Sequence, residues 1–128
     1  MATNFGKVDF NTQFSVLRSK LDSFANKYTS NDLLKSWAIL DQLKHWEDTD
    51  FPGILEKTDL YMVEEGPCFA WPFTHSFCEV CDDAIELYIG EGSGEKIGNY
   101  HTKCFSFDNE QTFYSELKSL FKKFQQNL

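Results

Sequence analysis

The apolar positions of this chain change their period partway along it. From Asn11 to Tyr28, the residues Phe14, Leu17, Leu21, Phe24 and Tyr28 recur at three- and four-residue steps, the spacing of one stripe on an α-helix. Arg18, Lys20, Asp22 and Lys27 fall on the opposite side. Ser30-Asn31-Asp32 then brings capping chemistry, and a second helix is expected over 31–46. It has Leu33, Trp37, Leu40 and Lys44 on one stripe and Ile39, Leu43 and Trp46 on its neighbour. So wide an apolar arc predicts burial on two sides. Residues 1–10 read as an arm or a short edge segment.

The run Glu47-Asp48-Thr49-Asp50 followed by Phe51-Pro52-Gly53 interrupts this pattern, and turn-forming residues of that kind mark a boundary. Beyond it, Leu60–Val63, Cys68–Phe77 and Ala84–Ile89 are rich in aromatic and branched residues, as strands are. The glycines at 90, 92 and 94 predict a turn into a further strand over about 96–107. A last helix is expected from Asp108, which stands three residues before Gln111 as in a capping box. Its buried stripe would be Phe113, Leu117, Leu120, Phe121 and Phe124, with Lys118, Lys122 and Lys123 near the C-terminal end, where the helix dipole favours cations. The expected architecture is α+β: two N-terminal helices, a small antiparallel sheet and one C-terminal helix. We read residues 1–128 as one domain, with a helical part at 11–46, a sheet part at 54–107 and the final helix at 108–127.

Composition supports a packed core. The chain has 128 residues, 41% of them apolar and 16% aromatic, including thirteen Phe, and a domain of that length buries roughly two thirds of its unfolded surface. Disorder and low-complexity classes are excluded. No apolar run approaches the roughly 18 residues that span a bilayer. The segment Met1–Lys7 lacks the apolar stretch of a signal peptide, so a cytoplasmic location is expected and no membrane is involved.

Charge narrows the choice of partner. The net charge is −8, which disfavours a phosphate backbone and favours a basic protein. The acidity is also concentrated. From Asp41 to Glu95 there are 14 acidic side chains and two lysines, a local charge of −12, and the rest, with 6 acidic and 10 basic residues, carries +4. The first candidate contact surface is the belt around Trp46, Glu47, Asp48, Asp50, Phe51, Tyr61, Glu64 and Glu65. The second is the stretch with Asp82, Asp83, Glu86 and Glu91.

The most specific chemical pattern is Cys78-Glu-Val-Cys81, then 19 residues, then His101-Thr-Lys-Cys104. Zinc takes four thiolate or imidazole ligands in a tetrahedron, and two close pairs separated by a hairpin-length insert are a usual way to supply them. Residues 78–105 resemble a single treble-clef or LIM-type zinc module, with the Cys-x-x-Cys knuckle and the aromatic before a closing His-x-x-Cys-Phe. The resemblance implies that Cys78, Cys81, His101 and Cys104 hold one structural zinc. No other cofactor is called for. A second reading of the same residues stays open. On one continuous strand His101 and Cys104 point to opposite faces, and the cysteines then fill a core as small apolar groups.

Nothing else assembles into a catalytic set. Cys78-x-x-Cys81 lies among acids that would raise its thiol pKa, contrary to a redox pair. Glu64-Glu65 and Asp82-Asp83 are sequence neighbours and read as solvated turns. Cys68 or Cys104 with His75 or His101 carries no nucleophile signature. The acidic, aromatic-rich profile of a single small domain resembles that of the small immunity proteins that bacteria make against polymorphic toxins. That resemblance implies a non-enzymatic protein that neutralises a basic toxin, such as a nuclease, by stoichiometric binding. The competing expectation is a zinc-stabilised adaptor that presents a protein-binding face.

Overall fold

The computed structural model describes residues 9–90 and 100–128, with side chains from Thr12 onward. Among them the chain forms helix α1 (Asp9–Asp22), helix α2 (Ser30–Asp48), strands β1 (Asp59–Met62), β2 (Pro67–Trp71), β3 (Ser76–Cys81), β4 (Ala84–Gly90) and β5 (Tyr100–Ser106), and helix α3 (Glu110–Lys123). The fold is α+β, as the sequence pattern predicts. The strands form one antiparallel meander in the order β1-β2-β3-β4-β5. No helix among the described residues is long and apolar enough to cross a membrane.

The element boundaries differ from the expected ones for local reasons. α1 ends at Asp22 rather than Tyr28. The Ser23 hydroxyl donates to the Lys20 carbonyl at 2.6 Å, which a continuing helix would offer to Phe24, and the Phe24 amide bonds Leu21 instead. Phe24 and Tyr28 still reach the core from the turn that follows, with their rings edge to face at 5.9 Å. The cap of α2 is Thr29, one residue before the segment expected to supply it; its Oγ1 accepts the Asp32 N–H at 3.3 Å.

The expected strand over 68–77 is two strands. Pro72 lacks a donor for the ladder, and Pro72–Thr74 form a single 3-10 turn that ends at His75 in the left-handed region. At the other end of β3 the chain reverses through Asp82 and Asp83, with φ of 52° and 59°, a two-residue turn of the mirror-image type that suits a hairpin. The expected glycine turn falls mostly on residues outside the described ones, as does the start of the strand predicted from Lys96. α3 starts at Glu110 after a short 3-10 turn at Phe107–Asn109, and no side chain caps it, so the Asp108–Gln111 capping box is not formed.

All three helices cover the same face of the sheet. Leu60, Phe69, Cys78 and Leu87 form one inward row across β1 to β4, and they pack with Leu17, Leu21, Ile39, Leu40, Leu43, Phe113 and Leu117. At one end of this core Trp46, Phe51, Trp71 and Phe121 meet edge to face, with Trp71 and Phe121 centroids 5.4 Å apart and Trp46 and Phe51 5.6 Å apart. Trp71 Nε1 donates to Thr58 Oγ1 at 2.9 Å, which satisfies the indole inside the core.

Candidate functional site

Because side chains alternate along a strand, the row next to Leu60–Phe69–Cys78–Leu87 points away from the helices. It runs Tyr61, Cys68, Glu79, Glu86, Cys104 across all five strands. The following row on the same face is Asp59, Ala70, Phe77, Tyr88 and Thr102. Phe77 and Tyr88 stack with centroids 4.5 Å apart, and Tyr100 stands edge-on to Phe77 at 5.3 Å. Tyr61 is 48% exposed. A cavity of about 450 Å³ opens here, lined by Tyr61, Cys68, Ala70, Phe77 and Tyr100 with the β2–β3 turn. This face is therefore aromatic at one end.

The opposite end of the sheet is acidic. In a meander, alternate turns fall at the same end of the sheet, so the β1–β2 and β3–β4 turns are neighbours. Glu64 and Glu65 come from the first, Asp82 from the second, and together with Asp32 from the first turn of α2 they line a single cavity of about 350 Å³. Gly66 allows the close approach, since a Cβ there would lie 1.9 Å from the Val80 carbonyl oxygen. The Tyr28 hydroxyl ties the same region together by donating to the Val63 carbonyl. Asn31 Nδ2 reaches Asp83 Oδ1 at 3.4 Å.

Electrostatics follow from this crowding. Burial pushes the Glu79 carboxyl above the usual carboxylate range, and the charges of Glu65 and Glu86 push it further. Tyr88 donates to Glu86 Oε2 at 2.7 Å, and that bond together with burial raises the phenol strongly. The result is a negative patch that borders the half-buried Phe77–Tyr88 stack.

The structure divides the first of the two segments singled out in the sequence. Trp46 is 4% exposed and Phe51 fully buried, so neither is a surface anchor. The helical stripe that carries Trp46 and the turn that folds Phe51 back both place them in the aromatic core. Glu47 is turned inward, accepting the Gly53 and Leu55 amides at 2.7 and 2.9 Å. Asp50 pairs with Lys118 at 2.8 Å, and this hydrogen bond lowers its pKa. Asp48 is exposed on the last turn of α2. Tyr61, Glu64 and Glu65 are exposed as expected; Glu64 and Glu65 join Asp82 in one cavity, Tyr61 lines the aromatic cavity, Asp83 is exposed beside Asp82, and Glu86 is half-buried on β4. Glu91 lies outside the described residues. Sequence reasoning missed Asp32, Phe77, Glu79, Tyr88 and Tyr100. Period-two alternation in 76–81 and 84–89 puts three of these, Phe77, Glu79 and Tyr88, on the outward face.

The proposed zinc ligands are not gathered. Cys78 and Cys81 are three residues apart on β3, and His101 and Cys104 three apart on β5, so each pair is divided between the two faces. Cys78 and His101 share a face, but β4 runs between their strands, a gap of about 9.5 Å at ordinary strand spacing. Zinc ligands sit only about 2.0–2.3 Å from the ion. Among the described residues no three His, Cys, Asp or Glu side chains are placed to hold a metal. Burial and Glu79 push the Cys68 thiol up to about 12, burial and nearby acids push Cys81 up to about 11, and burial puts Cys78 well above its ordinary value. Comparison of the chain with protein-family models, with curated proteins and with solved structures finds no match.

Proposed function

We propose that this chain is a non-catalytic binding protein that engages a basic protein stoichiometrically, in the manner of an immunity protein neutralising a basic toxin such as a nuclease in the cytoplasm. One observation carries the reading. Two acidic segments separated in the sequence meet where Glu64, Glu65 and Asp82 line one cavity, at the end of the sheet opposite the aromatic cluster that carries the exposed Tyr100. Carboxylates of this kind steer a cationic surface and raise its association rate. Exposed aromatic side chains supply rigid anchors at low entropic cost. The pairing of Glu79 with Glu86 directly opposite further supports a cationic partner, because like charges facing each other in a sheet destabilise the free chain. A zinc-stabilised adaptor is not carried further, since its four ligands lie on opposite faces of the sheet.

The test is affinity capture from the native cell with the full chain as bait, identification of the bound protein by mass spectrometry, and stopped-flow association with the purified partner. A basic partner, bound one to one and more slowly as salt rises from low to physiological strength, is expected. An acidic partner, salt-independent association, or turnover of a small substrate by the chain itself would overturn the proposal.

A further inference from the structure

The cavity of about 450 Å³ on the helix-free face has a small-residue floor, formed where β2 turns Cys68 and Ala70 outward. Register places Tyr61 and Glu79 on either side of Cys68, and Asp59 and Phe77 on either side of Ala70. Two aromatic rings therefore stand at diagonal corners of the floor, and two carboxylates at the other corners. Directly opposed residues have Cβ atoms about 4.5–5.5 Å apart, so each floor residue has one ring and one acid beside it. Tyr61 and Phe77 belong to the cavity wall, and Asp59 and Glu79 flank it.

The charge of this face has one sign. The outward residues of the described strands include Asp59, Glu79 and Glu86 and no Lys or Arg. Lys103, the one lysine on the described strands, pairs with Glu116 of α3 on the helix side. Neither Asp59 nor Glu79 forms an ion pair among the described residues. Asp59 accepts the Tyr61 hydroxyl at 3.4 Å. At the sheet edge Lys20 Nζ lies 5.8 Å from the centroid of the Tyr61 ring, so this ring already attracts one ammonium.

We propose that the cavity receives a lysine side chain, its methylene stem over Cys68 and Ala70 between Tyr61 and Phe77, and its ammonium among the flanking carboxylates and rings. The inference rests on the function proposed above, because the lysine is assigned to the basic partner. Charge complementarity selects a cation, and two further features select lysine. The floor of Cys68, Ala70 and Pro72 is apolar, which suits an alkyl stem that lies on apolar surface while its charged head stays near water. Asp59 and Glu79 stand at opposite corners, so no paired acceptors meet the fork of a guanidinium, whereas a point charge needs none. A metal ion is not served, since no three ligating groups are gathered among the described residues.

The experiment is an NMR titration of the full chain with N-acetyl-lysine methylamide, and separately with the norleucine and arginine analogues. Lysine should shift the amides of Tyr61, Cys68–Ala70 and Phe77–Glu79 saturably, and more weakly as salt is added. The norleucine analogue, a stem without the charge, and the arginine analogue should both bind less tightly. Glu79→Gln and Phe77→Leu should each weaken lysine binding by about two- to fivefold, the range for one partly exposed ion pair or ring–cation contact. Ala70→Leu, which fills the floor from the open face, should abolish it. The comparison of the three analogues uses the unmodified chain and stands even if a variant does not fold. Equal affinity for norleucine or arginine, binding indifferent to salt, shifts confined elsewhere, or undiminished binding by folded Ala70→Leu would each overturn the site. Failure here is distinct from failure of the functional proposal. A basic partner whose dissociation is unchanged by Ala70→Leu removes the lysine site alone, and an acidic partner removes the functional reading while lysine binding stands.

Discussion

Glu79 on β3 and Glu86 on β4 are directly opposed in the sheet register, on the face away from the helices. Burial, then Glu65, then Glu86 raise the Glu79 pKa. A carboxyl whose pKa is raised on folding stabilises the fold while protonated. That contribution is fully present below its unfolded value of about 4.5 and is lost as pH rises through the folded value. Glu79→Gln should therefore unfold at higher denaturant than the parent at pH 7, by about 0.2–1 kcal/mol. The gap should close below about pH 4. The same variant should bind the basic partner more weakly. A variant that is less stable at neutral pH, or a gap that widens on acidification, would contradict this account.

Glu47 belongs to the fold. Its two carboxylate oxygens hold the Gly53 and Leu55 amides and so fix the turn that delivers Phe51, Ile54 and Leu55 to the core. Glu47→Ala leaves both donors without their acceptor and should cost about 1–3 kcal/mol in chemical denaturation. Partner association, measured on the fraction that is folded, should stay unchanged, which separates Glu47 from Glu64 and Glu65.

Glu47 also shows what the sequence can and cannot reveal. The change of period after Pro52 identifies the α+β class and the positions of most elements, because burial of one helix stripe or one strand face is written into spacing. Charge is not written in the same way. A glutamate that staples two amides and one that faces solvent look alike in a sequence, and so charge and spacing alone group Trp46, Glu47 and Phe51 with Tyr61, Glu64 and Glu65. The joining of the two acidic turns depends on the meander order, which spacing alone does not specify. The Cys-x-x-Cys and His-x-x-Cys pairs failed for the opposite reason. A strand over 96–107 already turns His101 and Cys104 to opposite faces, and the run of β3 through Cys81, beyond the expected strand end at Phe77, divides Cys78 from Cys81 in the same way.

Cysteine reactivity separates these two views of the thiols. Cys68, Cys78 and Cys81 are buried, with pKa values raised, and Cys104 is exposed. A thiolate is needed for reaction. In the native protein at pH 7.5, a maleimide or a disulfide reagent should therefore label Cys104 within minutes, and the other three only after unfolding. Adding zinc should not protect Cys104. Protection by a stoichiometric amount of zinc would restore the metal site.

Gly66 is a backbone contact that the site depends on. An added Cβ would lie 1.9 Å from Val80 O and 3.3 Å from Cys81 Cβ, and both neighbours are backbone or backbone-proximal atoms that cannot rotate away. Gly66→Ala should destabilise the chain by about 1–3 kcal/mol. It should also push the β1–β2 turn from the β3–β4 turn, so that Glu64, Glu65 and Asp82 no longer share a cavity. Weaker partner binding than the stability loss explains is the expected signature, read by calorimetry at a temperature where the variant is fully folded.

The exposed pair at the β1–β2 turn gives the most direct reading of the electrostatic proposal. Glu64 and Glu65 are open to solvent at the mouth of the acidic cavity, where a charge acts mainly on approach. Their field reaches about 8 Å at physiological ionic strength, and rim charges change association more than dissociation. Replacing both with Lys should slow association with the basic partner by an order of magnitude or more at low salt, and the difference should shrink as salt is added. Dissociation should change little. Tyr61, exposed on the same strand as the aromatic cavity, should behave in the opposite way. Tyr61→Ala removes contact area without altering the long-range field, so dissociation should quicken, by about tenfold if it is an anchor residue, while the association rate and its salt dependence stay the same. If the lysine pair left association untouched, the acidic end would not be the surface that meets the partner. If Tyr61→Ala left dissociation untouched, the aromatic face would lie outside the interface.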